Sequence, residues 1–359
     1  MNKSSPIYIA GHKGLVGSAI LRCLKKEGYQ NLIHRPHKEL DLENQAAVES
    51  FFKETKPEYV ILAAAKVGGI LANANYPVDF ISRNLAIQNN ILRESRRTNV
   101  KRLLFLGSSC IYPRECPQPI KEEYLLTGPL EITNRPYAVA KIAGIIECEA
   151  YNRQYGTKFI ALMPTNLYGP KDNFDLQNSH VLPALIRKFH LASLAAEGNE
   201  EGIIKDEKRF GPIPKELKST LASILRKDIP PQVTIWGTGN PRREFLHVND
   251  LAEACRFILE CDENILREAS ILPKSKNSQS LPLINVGCQE DQTISDLAEL
   301  IKKEVGFEGE IIWDRSKTDG TPQKLLDVAQ LHRLGRQTTI PLGQGIKQVY
   351  QWYKSETGA

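Results

Sequence analysis

Ile7-Tyr8-Ile9-Ala10-Gly11-His12-Lys13-Gly14-Leu15-Val16-Gly17-Ser18-Ala19-Ile20 is the stretch that sets the fold. A short apolar run breaks into glycines at 11, 14 and 17, then resumes as a helical segment, LVGSAILRCLKKEG, that ends at Gly28. Strand, glycine turn and helix open a dinucleotide-binding unit. The glycines permit the tight turn, let the backbone approach a pyrophosphate, and let the helix pack closely on the strand. The helix N-terminus adds free N–H groups and a partial positive charge. The spacing is GxxGxxG rather than GxGxxG, so the flanking strand and helix carry much of the argument. On this reading Gly11, His12, Lys13, Gly14, Leu15, Val16 and Gly17 face the cofactor phosphates.

The next strand, Asn31-Leu32-Ile33-His34-Arg35, bears on which nucleotide is bound. A site for NAD usually carries an Asp or Glu about 20 residues past the glycines, on the ribose 2′-hydroxyl. Here Arg35 takes that place, flanked by His34 and His37, with Lys13 in the glycine loop. Two cations and no carboxylate suit a 2′-phosphate, which favours NADPH over NADH. Asp41 and Leu42 follow and border the adenine.

Working outward, apolar runs alternate with helical patterns: a helix over 44–55, a strand from Tyr59, a helix over 78–98, a strand at Arg102–Gly107, a helix over 136–155 and a strand at Phe159–Met163. Continuous apolar strands between helices imply a parallel sheet covered on both faces. The expected fold is α/β: a doubly wound parallel sheet of Rossmann type over 1–170, with a smaller α/β substrate lobe over 171–359. Some later segments, roughly 233–260, are expected to return to the first lobe. Two stretches read as insertions, the charged and proline-punctuated 193–231 (with a helix near 215–227) and the polar 269–281.

Composition fits a soluble enzyme. A chain of 359 residues can bury a large core. It contains no apolar run near the ~20 residues of a membrane span, and its start, MNKSSP, has no signal-like apolar region. Seven cysteines are scattered without CxxC pairs, which argues against zinc, against a disulfide framework and for the cytoplasm. The net charge of +5 is mild and unblocked, far from what nucleic-acid binding needs.

Chemistry concentrates at one strand end. Tyr137 and Lys141, four apart on a helix, share a face, so the ammonium can lower the Tyr pKa and make its hydroxyl a proton donor. Leu106, Gly107, Ser108, Ser109 and Cys110 run past the C-terminal end of a strand, the edge where ligands of such sheets bind. Pro164, Thr165, Asn166 and Leu167 follow another strand end and border the nicotinamide. Taken singly, Cys110 reads as buried filler and His180 as a helix cap.

In order along the chain, GHKGLVGSAI, AAAKVGGI (63–70), NLAIQNNIL (84–92), LFLGSSCIYP (104–113), PYAVAKIAG (136–144), MPTNLYGPKDNF (163–174), SHVLPALI (179–186) and WGTGNPRREFLHVNDLA (236–252) resemble the GDP-L-fucose synthases, extended short-chain dehydrogenases/reductases. The resemblance spans nearly the whole chain outside the insertions. It implies conversion of GDP-4-keto-6-deoxy-D-mannose to GDP-L-fucose by epimerisation at C3 and C5 and NADPH-dependent reduction at C4. It also implies Ser108, Tyr137 and Lys141 at the ketone oxygen, Cys110 as base and His180 as acid. Lys66, Asn84 and His180 would lie on the cofactor side. Trp236 would stack on guanine, Arg243 would bind diphosphate, and Asp319 would contact the substrate. Where the family commonly has a substrate-binding Arg this chain has Lys188, which loses the bidentate fork, and Arg187 is placed to compensate. A homodimer through the Tyr137 helix is implied, with Ile142, Ile145 and Ile146 as its apolar positions. The rival expectations are a sugar-nucleotide 4-epimerase or 4,6-dehydratase holding NAD, and a non-catalytic NADP-sensing protein.

Overall fold

The computed structural model describes residues 1–275 and 280–358. Its twelve described strands are β1 (Ile7–Ala10), β2 (Leu32–Ile33), β3 (Tyr59–Leu62), β4 (Arg102–Leu106), β5 (Phe159–Pro164), β6 (Asn166–Tyr168), β7 (Gln232–Trp236), β8 (Arg242–His247), β9 (Leu283–Val286), β10 (Asp291–Thr293), β11 (Glu310–Asp314) and β12 (Gln323–Lys324). Six of them form one parallel sheet in the order β2-β1-β3-β4-β5-β9. Every residue of β1, β4, β5 and β9 is buried, as continuous apolar runs require in a sheet covered on both faces. The order reverses between β1 and β3, and ligands of such sheets bind in the crevice at that switch point.

The sixth strand arrives late. It comes from Leu283–Val286 and not from the strands within 233–260. From that range the helix Val248–Glu260 packs on this lobe, against Leu15–Lys26, and Leu246 joins its core. β8 instead centres a second sheet, parallel to β6 and β12 and antiparallel to β10, and β7 pairs with β11. This lobe has its own core, built on the helices Val181–Ala196, Ile294–Val305 and Leu342–Thr357.

Both stretches read as insertions are tied into cores. Residues 193–231 hold the end of the Val181–Ala196 helix and two more, Glu200–Phe210 and Lys215–Leu225, with Ile213, Leu221 and Ile224 buried. Ile271 and Leu272 are buried in the first core, while 276–279 of the second stretch lie outside the described residues. Of the isoleucines expected at a dimer face, Ile142 and Ile145 are core residues; only Ile146 stays on the surface, beside Val139. No helix among the described residues is long and apolar enough to cross a membrane.

One glycine decides the local geometry of the cofactor loop. A Cβ on Gly17 would stand 2.2 Å from the Gly11 carbonyl oxygen, inside any allowed contact. Gly11 itself sits at φ +86°, a conformation that favours glycine. Gly17→Ala must therefore push the loop off the helix. Overpacking of this kind costs about 1–3 kcal/mol, so NADPH affinity should fall roughly ten- to hundredfold in a fluorescence titration.

Candidate active site

The cofactor side is laid out around the switch point. Gly14 is the N-cap of the Leu15–Lys26 helix and has no side-chain cap, so the first-turn N–H groups are left for a ligand, and no acidic residue stands in that turn. The His12 and His34 rings stack at 4.4 Å, joining the glycine loop to the end of β2. Arg35 is exposed, bonds the His34 carbonyl at 2.9 Å and lies 3.9 Å from Glu39. A weak surface pair of that kind leaves its charge available to a 2′-phosphate. Asp41 accepts the Glu43 N–H and is exposed; Leu42 is a core residue. The uncapped helix end, the glycine cradle and the exposed guanidinium fit NADP(H).

Asn84 does something narrower than touch a cofactor. Its Oδ1 accepts the Lys66 N–H at 2.8 Å, and its Nδ2 donates to the carbonyls of Lys66 (3.0 Å) and Phe80 (2.7 Å). Its amide is fully used in closing the loop after β3, so any effect on the nucleotide runs through Lys66. Thr165 and Asn166 are similarly occupied, both bonding the Glu244 carbonyl, at 3.3 and 2.9 Å, with Pro164 ending β5 and Leu167 half-buried in β6.

Ser108, Ser109 and Cys110 follow β4 and lie under the Arg135–Tyr155 helix, as their position past the strand end requires. Gly107 is needed there because any Cβ would overlap the Met163 side chain. Lys141 is buried, donates to the Leu106 carbonyl at 2.8 Å, and has its Nζ 5.8 Å from the centre of the Tyr137 ring. Tyr137 packs edge-on against Phe80, centroids 6.1 Å apart. Burial pushes the Tyr137 hydroxyl well above its ordinary pKa and brings Lys141 down to about 8. This corrects the expectation that the ammonium lowers the Tyr pKa. Burial first and the neighbouring Cys110 second both raise it, and the phenol is held as an O–H donor.

His180 reaches the same corner through the loop after β3. Gly68 packs under Phe80, Gly69 donates its N–H to the Asn178 carbonyl at 3.3 Å, and a Cβ on Gly69 would stand 3.4 Å from the Ser179 oxygen. His180 is the N-cap of Val181–Ala196 but makes no capping bond, so its ring is free. It is exposed at its rim, yet enough protein surrounds it that desolvation lowers its pKa. As the acid it must therefore take up its proton against that burial. Burial raises the Cys110 thiol, opposed by Lys324, the Ser108 hydroxyl and Lys141, in that order.

Trp236 is 56% exposed, and the ammonium groups of Lys317 and Lys188 lie 5.5 and 5.9 Å from its ring. Lys188 also bonds the Thr234 carbonyl at 2.9 Å. Asp319 is held by Thr238, whose N–H and hydroxyl donate to it at 3.0 and 2.6 Å, and its charge faces Arg243. Arg187 does not compensate for Lys188. It is fully buried, paired with Asp206 at 2.8 Å and bonded to the carbonyls of Phe174, Phe210 and Gly211. The helix turns residues 187 and 188 to different faces, and only Lys188 looks toward Trp236.

Two residues escaped the sequence reading. Glu244 is completely buried, and its carboxylate accepts the N–H groups of Cys288 (2.6 Å), Gln289 (2.8 Å) and Leu326 (3.0 Å). A carboxylate heading the apolar run Phe245-Leu246 was the available signal. Lys324 sits on a two-residue strand, too short for any periodicity to mark it.

A Rossmann sheet carrying Ser, Tyr and Lys at the end of β4 defines a short-chain reductase or epimerase, and the chain belongs to the NAD dependent epimerase/dehydratase family, whose sequence pattern matches residues 7–270. It is 49% identical over 352 residues to GDP-L-fucose synthase 1 of Arabidopsis thaliana, covering 98% of this chain and 94% of that protein. It is 46% identical to GDP-L-fucose synthase of Escherichia coli K12, covering 97% of this chain and 96% of that one. Its structure superposes with a TM-score of 0.87 on a GDP-D-glycero-L-gluco-heptose synthase from Campylobacter jejuni solved in the presence of NADPH, 44% identical and covering 99% of both chains.

Proposed function

We propose that this chain is a GDP-L-fucose synthase: it epimerises C3 and C5 of GDP-4-keto-6-deoxy-D-mannose and reduces the C4 ketone. The observation that carries the reading is the placement of a thiol, Cys110, beside the Ser108–Tyr137–Lys141 group at the end of β4, in a chain whose full length matches such synthases. Hydrogens next to a ketone become acidic only when the developing enolate oxygen is stabilised. Ser108 and Tyr137 supply the two O–H donors for that oxygen. Cys110 takes the proton from one face and His180 returns one to the other; with its lowered pKa, His180 must be recharged from solvent in each cycle. Bound NADPH supplies the hydride. Tyr137 then protonates the C4 oxygen, with Lys141 fixing its ring face, so one oxygen-holding site serves both reactions. On the nucleotide side Arg243 and Lys188 take the diphosphate and Trp236 the guanine.

A second reading, reduction of a GDP-4-keto-heptose, has the likeness to the Campylobacter jejuni heptose reductases in its favour. One assay separates the two. Incubated with GDP-4-keto-6-deoxymannose, NADPH and deuterium oxide, the protein should consume NADPH and give GDP-fucose labelled at C3 and C5. No NADPH consumption would overturn the fucose reading; consumption without label would favour a plain 4-reductase. Cys110→Ser should cut the label by about 10²–10⁴-fold, the usual worth of a positioned base, while NADPH affinity stays unchanged.

The helices Pro77–Arg97 and Arg135–Tyr155, packed on each other, carry Val78, Val139 and Ile146 on their outer face. We assign this face to a second copy, giving a homodimer. Ile146→Glu, charging its centre, should elute as a monomer at micromolar concentration with folded spectra; a dimer would refute the assignment. Seven cysteines, all free in the structure, support a cytoplasmic setting for the reaction.

A further inference from the structure

Strand β12 is two residues long, yet it is fixed from both sides. On one side Lys324 stands opposite Arg243 in parallel register. On the other, the chain just beyond it pairs with the segment that follows Cys110. The Leu325 N–H donates to Gln118 Oε1 at 2.9 Å, Ile120 N–H to the Leu325 carbonyl at 2.7 Å, and Asp327 N–H to the Ile120 carbonyl at 2.8 Å. The Glu244 carboxylate adds a third tie at Leu326 N–H. Lys324 is thus clamped at the seam between the Arg243 strand and the loop descending from Cys110. Its ammonium makes no hydrogen bond or ion pair among the described residues. The charges facing it are those of Cys110, Arg243, Cys116 and Glu131.

Resting on the epimerase reading above, we propose that Lys324 is a positioning residue for Cys110: its ammonium holds the sulfur as the thiolate that takes the proton from C3 or C5. Cys110 is buried, and burial alone opposes ionisation, so a thiolate there requires positive charge nearby. The charges of Lys324 and Lys141 oppose that burial effect at the sulfur, Lys324 first, while burial also pulls the Lys324 ammonium below its ordinary pKa. Lys141 is committed to the Leu106 carbonyl, whereas Lys324 is not. In the step itself a sulfur lone pair takes the C–H proton. The C–H electron pair passes into the enolate, whose oxygen is held by Ser108 and Tyr137. Protonated His180 then delivers a proton to the opposite face. Thiol and imidazole reset by exchanging protons with water, so no other reactant is consumed.

The test reads the sulfur directly and needs no substrate. Ultraviolet thiolate absorbance is titrated in the full chain, and the Cys110→Ser spectrum is subtracted. Lys324→Met should move the Cys110 ionisation up by about one pH unit or more, and Lys324→Arg should restore it. With GDP-4-keto-6-deoxymannose, Lys324→Met should slow deuterium entry at C3 and C5 about tenfold, with the loss recovered at high pH. An unchanged Cys110 ionisation in a variant that still binds NADPH would overturn the proposal. A raised KM with that ionisation unchanged would likewise overturn it, reassigning Lys324 to the diphosphate. Absence of deuterium entry in the unmodified protein would sink the epimerase reading instead, and the thiolate titration keeps the two failures apart.

Discussion

Replacing Tyr137 with phenylalanine should lower kcat for NADPH oxidation by about 10²–10⁴-fold, the range lost with a positioned proton donor, and leave the fold intact. The ring keeps its edge-on contact with Phe80, and the hydroxyl bonds to no protein group among the described residues, so its removal orphans nothing. NADPH affinity and melting temperature should therefore stay near those of the unmodified protein. A fall in melting temperature matching the loss of rate would mean that the hydroxyl is structural. The same site sets a pH limit. Burial brings Lys141 down to about 8 from an ordinary 10.5, so the residue is charged below that pH and neutral above it. The positive charge beside the Tyr137 ring, which helps hold the developing C4 oxyanion, is then lost, so kcat should decline as pH rises through about 8. Lys141→Met should lack that limb and be slow throughout.

Arg187→Leu is expected to be the most destabilising single change. Its guanidinium is buried with Asp206, and three carbonyl oxygens accept three more of its five N–H donors. Tyr353 bonds the same Asp206. Removing one partner of a buried pair leaves the other charge uncompensated, at a cost of about 3–5 kcal/mol. At roughly 2–4 °C per kcal/mol for a sizeable domain, melting should fall by about 6 °C or more. Arg187→Leu with Asp206→Leu should recover part of that loss by removing the stranded carboxylate. A single variant with unchanged melting would show that the pair holds nothing together. The network joins three separate stretches, at Phe174, Phe210 and Tyr353, so its loss should also loosen the segment that leads to His180.

The first lobe was legible because its signals are local. Glycines 11, 14 and 17 mark the turn, and the apolar runs at 59–62, 102–106 and 159–164 became covered strands, Tyr59 alone being partly exposed. Tyr137 and Lys141 were readable because helix geometry alone puts them on one face. What remained hidden depends on partners far away in sequence. Arg187 and Lys188 are adjacent, and nothing local says which is buried; the answer lies at Asp206 and Phe210. Asn84 could be placed near the cofactor, but not recognised as the clamp on Lys66. The Tyr137 hydroxyl was expected to be acidified because the cation is visible in sequence, whereas the burial that overrides it is not.

The late arrival of β9 has a consequence for synthesis on the ribosome. The first five strands have emerged by residue 164, but the strand that covers the outer edge of β5 begins only at 283. At ~5–20 residues per second the nascent chain spends roughly 6–24 s with that edge open. An unpaired edge strand invites pairing with another chain, and β5 is apolar along its length. Chains stalled or truncated between these points should aggregate, whereas those extended past residue 286 should not.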